Sequence, residues 1–226
     1  MKKINFNDRY GLTQAVIEGR KTMTRRLINP MPKDCAAVHK NCWGADWSDK
    51  PMSLVVDRDT GGIYCEYCGN GVRFYDGEYH YKAKYKVGEV VAVAQRYSTI
   101  AAGHPDVDTF LLQVAKAHKI SIESVQDLAG WNNKMFTKAE LMPHRIRITG
   151  IKCERLQYIS DDCCLKEGIR YVPEIDKFYF EDVSREEGFY FDNHREAFAS
   201  LIDKVSGRGT WERNPWVVVY EFELLK

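Results

Sequence analysis

With 226 residues and a formal net charge of only +1, the chain is too balanced to coat nucleic acid nonspecifically, although a compact basic site is compatible with that balance. Hydrophobic residues make up 44%, enough to bury a core, and no run of about 18 apolar residues is present to make a transmembrane helix. The first eight residues are basic but lack an apolar h-region, so no signal peptide is expected. Seven cysteines, an odd number that includes the adjacent Cys163 and Cys164, then favour a reducing cytoplasm over a disulfide framework.

Ile4 and Phe6 alternate as a short strand. Asn7 or Asp8 is placed to cap a helix that carries Leu12, Ala15 and Val16 on one face, and Gly19 is a natural stop for it. Thr22, Met23 and Thr24 then start a second strand. From Ile28 to Lys86 the period dissolves among Pro30, Pro32, Pro51 and several glycines, as in a long insertion or small subdomain. Val90–Gln95 reads as a buried strand. Residues 97–133 form a second insertion, in which Asp108 and Thr109 are placed to cap a helix bearing Phe110, Leu111, Val114 and Ala117. His144–Thr149 alternates strictly, and Ile151–Leu156 continues it as a long strand or as a hairpin around Gly150. Ser160, Asp161 and Asp162 open a short helix that Gly168 closes. Residues 170–190 read as a third irregular insertion, acidic and aromatic. Residues 192–205 make an amphipathic helix, and Trp216–Leu224 is a strand of high β-propensity. Short strands interspersed with helices imply an α+β chain built on a small β-barrel or sheet, as a single domain with insertions at about 28–82, 97–133 and 170–190. No GxGxxG or Walker pattern occurs, so a nucleotide cofactor has no support.

The densest chemistry lies in Gly19-Arg20-Lys21-Thr22-Met23-Thr24-Arg25-Arg26, which holds four cations, two hydroxyls and no acid. Such a cluster suits an anion, and a threonine beside a lysine suits nucleophilic chemistry if the lysine gives up its proton. Burial and neighbouring cations both lower a lysine pKa. Along a strand, residues 20, 22, 24 and 26 share one face and 21, 23 and 25 the other, so Lys21 meets Thr24 only by turning at the helix–strand corner. The competing reading is a solvated basic edge, or arginines that pair with the acids of the last helix.

Cys65-Glu66-Tyr67-Cys68-Gly69 is a CxxC turn of the zinc-knuckle kind, and His39 and Cys42 supply a second pair at the same spacing. His39, Cys42, Cys65 and Cys68 are therefore a candidate structural zinc set within the first insertion, with Cys35 as a rival ligand. Cys153, Cys163 and Cys164 read as core or helix residues.

The basic cluster resembles the signature of the ASCH domain family, which is related to the PUA RNA-binding barrel. The resemblance extends to Lys86-Val87-Gly88-Glu89-Val90, Met142-Pro143-His144-Arg145, Glu154-Arg155-Leu156-Gln157, Glu167-Gly168-Ile169 and the run from Trp211 to Phe222, as in the larger phage-associated members. It leaves the three insertions uncovered. It implies a PUA-like β-barrel with flanking helices, acting on RNA or a modified nucleoside, with no cofactor required for the chemistry. In a small bacterial member a Lys-Thr-Glu triad hydrolyses the amide of N4-acetylcytidine, and the matching residues are Lys21 as base, Thr24 as nucleophile and Glu167 as an acid/base or orienting group. Arg26 then helps bind the polar substrate, while Arg20 and Arg25 hold an anion or tune Lys21. Gln95 stands where the larger members carry Glu, keeping the hydrogen bonding and losing the charge. Arg145, Arg147, Trp211 and Asn214 complete the implied binding wall for a base, with Trp216 assigned to the core. A noncatalytic RNA-binding module and a ribonuclease are the alternative expectations.

Overall fold

The computed structural model describes residues 1–28, 53–57, 59–65, 82–185 and 188–225. In chain order the elements are β1 (Lys3–Ile4), α1 (Leu12–Ile17), β2 (Met23–Leu27), β3 (Leu54–Val56), β4 (Ile63–Cys65), β5 (Val90–Val93), α2 (Tyr97–Gly103), α3 (Val107–His118) and α4 (Ala129–Asn132). There follow β6 (Arg145–Arg155), α5 (Asp161–Lys166), β7 (Arg170–Val172), β8 (Lys177–Phe180), β9 (Phe189–Phe191), α6 (His194–Ser206), α7 (Thr210–Arg213) and β10 (Trp216–Leu225).

The two long β-branched stretches pair with each other. β6 and β10 run antiparallel from Arg145 opposite Leu225 to Arg155 opposite Trp216. Gly150 makes no hairpin. The register slips between Glu221 and Phe222, so Thr149 is the extra residue of a bulge. Strict alternation buries Ile146 and Ile148 completely and leaves Arg145, Arg147 and Thr149 outside. The sheet order is β1-β5-β6-β10-β2, antiparallel except for the β1–β5 pair. Among the described residues no strand pairing joins β1 to β2, so the sheet is an α+β sheet whose ends are not closed by a ladder. Its ends still approach. The Arg26 guanidinium donates to the Asn5 carbonyl just beyond β1, and the Phe6 and Phe222 rings lie 5.6 Å apart.

The insertions hold more order than their sequence periods show. β3 and β4 form a hairpin within the first. The second carries α2, α3 and α4, which build a small core of Tyr97, Ile100, Phe110, Val114 and Val125 against Ala92 of β5. The stretch expected to be irregular at 170–190 is a three-stranded meander, β7-β8-β9, whose Phe180 stacks on Phe189 and Phe191.

Capping also departs from expectation at two helices. Gly11, with φ of +64°, occupies the N-cap of α1, while Asp8 instead accepts the Thr13 hydroxyl. For α3 the cap is Asp106, which accepts from the Thr109 N–H at 3.0 Å. At α6 the Asn193 side chain accepts from Glu196 N–H at 2.8 Å. No helix among the described residues is long and apolar enough to cross a membrane.

Because Ile148 is fully buried under the central strand pair, Ile148→Ala is expected to cost about 2–5 kcal/mol in a urea melt. The neighbouring exposed Thr149→Ala should stay within about 0.5 kcal/mol, and equal effects at both positions would contradict the assigned facing.

Candidate functional site

Three chain segments meet around Lys21. The α1 helix ends, Gly19 turns with φ of +74°, and the Lys21 N–H returns to the Ala15 carbonyl at 2.9 Å. The Thr22 N–H donates to the Lys166 carbonyl at 3.0 Å, tying the start of β2 to the end of α5. Glu167 caps α5, and Gly168 follows at φ of +107°, where a Cβ would come within 3.1 Å of Leu12 and would be strained by the backbone itself. This brings the last turn of α5 onto the Lys21 side chain.

The Lys21 Nζ donates to the Glu167 Oε2 at 2.6 Å and to the Glu167 backbone carbonyl at 2.7 Å. The second contact places a cation on an orphan carbonyl of a helix C-terminus. The other carboxylate oxygen, Oε1, accepts from Arg25 NH1 at 3.0 Å. Arg25 continues across β10 to Glu154 Oε1 at 2.6 Å, and Glu154 Oε2 pairs with Lys152 at 2.7 Å. Lys21, Arg25 and Glu167 are all buried, with Lys21 only 2% exposed. Burial pulls the Lys21 pKa below its ordinary 10.5, and the Glu167 charge opposes that shift without cancelling it. For Arg25 burial also pulls down, but the Glu167 and Glu154 carboxylates outweigh it and hold the guanidinium more firmly charged than usual. Lys21 and Arg26 both lie over the face of Phe6, at 5.9 and 5.7 Å from its centroid.

A cleft of about 260 Å³ opens beside this network. Lys21, Thr24, Arg25, Arg26 and Glu167 line it from one side, and Phe198, Leu201 and Ile202 of α6 from the other. Thr24, opposite Tyr220 in the β2–β10 pair, is 5% exposed, and among the described residues its hydroxyl has no hydrogen-bond partner. The cleft thus presents an unengaged hydroxyl and a buried amine on a wall that also carries guanidinium groups.

The triad expected from sequence, Lys21, Thr24 and Glu167, is therefore brought to one cleft, together with Arg26 and Arg25. Arg25 differs from expectation: its donors are occupied by Glu154 and Glu167, so it holds the network together rather than an external anion. The remaining expected residues lie elsewhere. Arg20 pairs with Glu18 at 2.5 Å. Gln95 lines a separate cleft. Arg145 and Arg147 stand on the outer face of β6, and Arg147 pairs with Glu223 at 3.4 Å. Trp211 packs edge-on against Phe198 at 6.1 Å but does not itself line the cleft. Asn214 takes φ of +45° and accepts the Gln157 N–H at 2.8 Å, a corner-forming role. Trp216 is in the core.

His39, Cys42 and Cys68 lie outside the described residues, and Cys65 is described only as the last backbone position of β4. Among the described residues no group of three or more His, Cys, Asp or Glu is placed to hold a metal. Burial pushes the Cys153 and Cys164 thiols up to about 12, so neither is a nucleophile at neutral pH. Glu154, Phe6 and Phe198 were not singled out for the site from sequence. Glu154 stands within a run of resemblance, and the two phenylalanines carry the ordinary signature of core positions. Comparison of the chain with protein-family models, with curated proteins and with solved structures finds no match.

Glu167→Ala leaves Lys21 buried without its carboxylate and is expected to cost about 3–5 kcal/mol at neutral pH by urea denaturation. The pH dependence has a definite sign. A lysine held below 10.5 in the folded state gives up its proton first there, so the unfolded chain binds more protons between the two values and stability rises with pH across that window. The deficit of Glu167→Ala should therefore shrink as pH climbs towards 10.5, and a deficit that grows with pH would contradict a lowered Lys21.

Proposed function

We propose that the chain is an ASCH-type, PUA-like hydrolase of N4-acylated cytidine, with Thr24 as nucleophile, Lys21 as its base and Glu167 as the group that orients Lys21. One observation carries the reading: among the described residues the Thr24 hydroxyl has no hydrogen-bond partner, in a cleft that it shares with a buried lysine of lowered proton affinity. The sequence resemblance supports the same three residues. The approach of Arg26 to Asn5 across the sheet ends is compatible with a barrel-like curl.

In the first step neutral Lys21 accepts the Thr24 proton as Oγ1 attacks the acyl carbon. A C–O bond forms and the carbonyl oxygen becomes an oxyanion, for which the Arg26 guanidinium on the cleft wall is a counter-charge. Collapse breaks the C–N4 bond, and the Lys21 ammonium returns its proton to the departing cytidine amine. Water then cleaves the threonyl ester with Lys21 again as base, releasing the carboxylic acid. Glu167 has both oxygens engaged by Lys21 and Arg25, which suits it to orienting Lys21 rather than to exchanging protons with substrate. No cofactor enters these steps. Arg145 and Arg147 are the features that would serve a noncatalytic RNA-binding module or a ribonuclease, but they lie apart from the cleft and Arg147 is already paired.

Purified protein should release cytidine from N4-acetylcytidine, followed by chromatography. Thr24→Ala should abolish release, and Lys21→Ala should lower kcat/KM by about 100- to 10,000-fold. The rate should rise with pH to a midpoint below 10.5. No turnover above a blank, or full activity in Thr24→Ala, would sink the hydrolase reading. We also propose the His39, Cys42, Cys65 and Cys68 set as a structural zinc site of the first insertion. Elemental analysis is expected to find one zinc per chain, and substoichiometric metal contradicts it.

A further inference from the structure

Two lysines clasp the N-terminal segment to the turn that follows α4. That turn, Lys134–Phe136, is tied to the helical insertion on both sides. Before it, the Ser98 hydroxyl of α2 donates to the Trp131 carbonyl at 2.7 Å, and after it the Lys138 N–H donates to the Tyr97 hydroxyl at 2.8 Å. From β1, the Lys3 Nζ donates to the carbonyls of Lys134, Met135 and Thr137 at 2.9, 2.8 and 2.5 Å. In return the Lys134 Nζ donates to the Phe6 carbonyl, to Asp8 Oδ1 at 2.5 Å and to Thr13 Oγ1 at 3.1 Å. An ammonium has three N–H donors, so each lysine finds an acceptor for every one of its own. The Lys134 side chain is only 13% exposed, so water is a poor substitute for it at these acceptors.

The Phe6 end of this clasp reaches the Lys21 cleft. The Phe6 ring is buried, lines that cleft and carries both Lys21 and Arg26 over its face. Arg26 also donates to the Asn5 carbonyl at 2.5 Å. The backbone from Asn5 to Asp8 is therefore held by cations from two directions, Lys134 and Arg96 from the insertion and Lys21 and Arg26 from the cleft. The charged groups that face Lys21 are Glu167, Arg25 and Arg26, and none of them shares a hydrogen bond with Lys134. Phe6 is the residue that touches both lysines, one through its carbonyl and the other through its ring. We propose that Lys134 is a positioning residue for the Lys21 cleft: it fixes Phe6, and through Phe6 the α2–α4 insertion sets how closely the Lys21 amine is shielded from water. The proposal rests on these contacts and stands whether or not the cleft cleaves an acylated cytidine.

NMR of the full chain with ¹³C-labelled lysine tests it. The Phe6 ring current should displace the Lys21 ε-methylene protons upfield, and Phe6→Leu should remove that displacement. Lys134→Met should shrink the displacement and move the Lys21 titration midpoint up towards 10.5, because burial is the larger influence on that amine. Lys3→Met frees the turn that carries Lys134, and its ammonium contacts neither Phe6 nor Lys21. It should change both readings in the same direction by a smaller amount, and it decides the question alone where Lys134→Met does not fold. Loss of the Lys134 charge acting through space would raise the midpoint and leave the ring displacement as in the parent, and that result overturns the proposal. So does a displacement that is the same in the parent and in Phe6→Leu, or a midpoint unchanged in the folded variants.

Discussion

A buried carboxylate shared by two buried cations holds the site together. Glu167 meets Lys21 through one oxygen and Arg25 through the other. None of the three has water to fall back on, so each depends on the others to offset its desolvation. The cluster joins four elements at once: the turn after α1, the edge strand β2, the end of α5, and, through Arg25 and Glu154, strand β6. The backbone bond from Thr22 to Lys166 and the glycine after Glu167 set the distance at which this works.

The same arrangement sets the proton affinity of Lys21, on which the proposed chemistry depends. A lysine paired with a carboxylate would ordinarily stay protonated well into alkaline pH. Here burial is the larger influence, and the shift is downward. Glu167 divides its charge between two cations, which limits how strongly it can favour the protonated amine. Arg25 adds a positive charge nearby and is itself held by Glu154, so it does not leave the site. The result is a buried lysine of lowered proton affinity that lines the same cleft as a threonine hydroxyl with no hydrogen-bond partner among the described residues.

Much of this was legible in the sequence, for physical reasons that differ by element. The long strands β6 and β10 announce themselves because strict alternation or a β-branched run admits little else. Alternation also put Lys21 and Arg25 on one face, and both do meet Glu167. Their acidic partner was visible only through resemblance, since a contact across 142 positions has no local signature. Glu154 was missed as a site residue because it is reached across β10, which depends on register rather than on spacing. The β7-β8-β9 meander was misread as irregular because aromatic rings occur on both of its faces, which erases the period of two. The helix starts of α1 and α3 were misplaced because several nearby acids could cap, and only the folded chain chooses among them. Gln95 was expected beside the triad, but at the end of β5 it lines a second cleft that shares no lining residue with the first.

The balance of burial against ion pairing at Lys21 is the point on which the proposed chemistry turns. Selective ¹³C labelling of lysine, with the Lys21 resonance assigned by its absence in Lys21→Arg, allows the amine to be titrated directly by NMR. A midpoint below the ordinary 10.5 is expected, moving lower still in Glu167→Gln. A midpoint at or above 10.5 would make Lys21 a permanent cation and contradict the proposal that it is the base that activates Thr24.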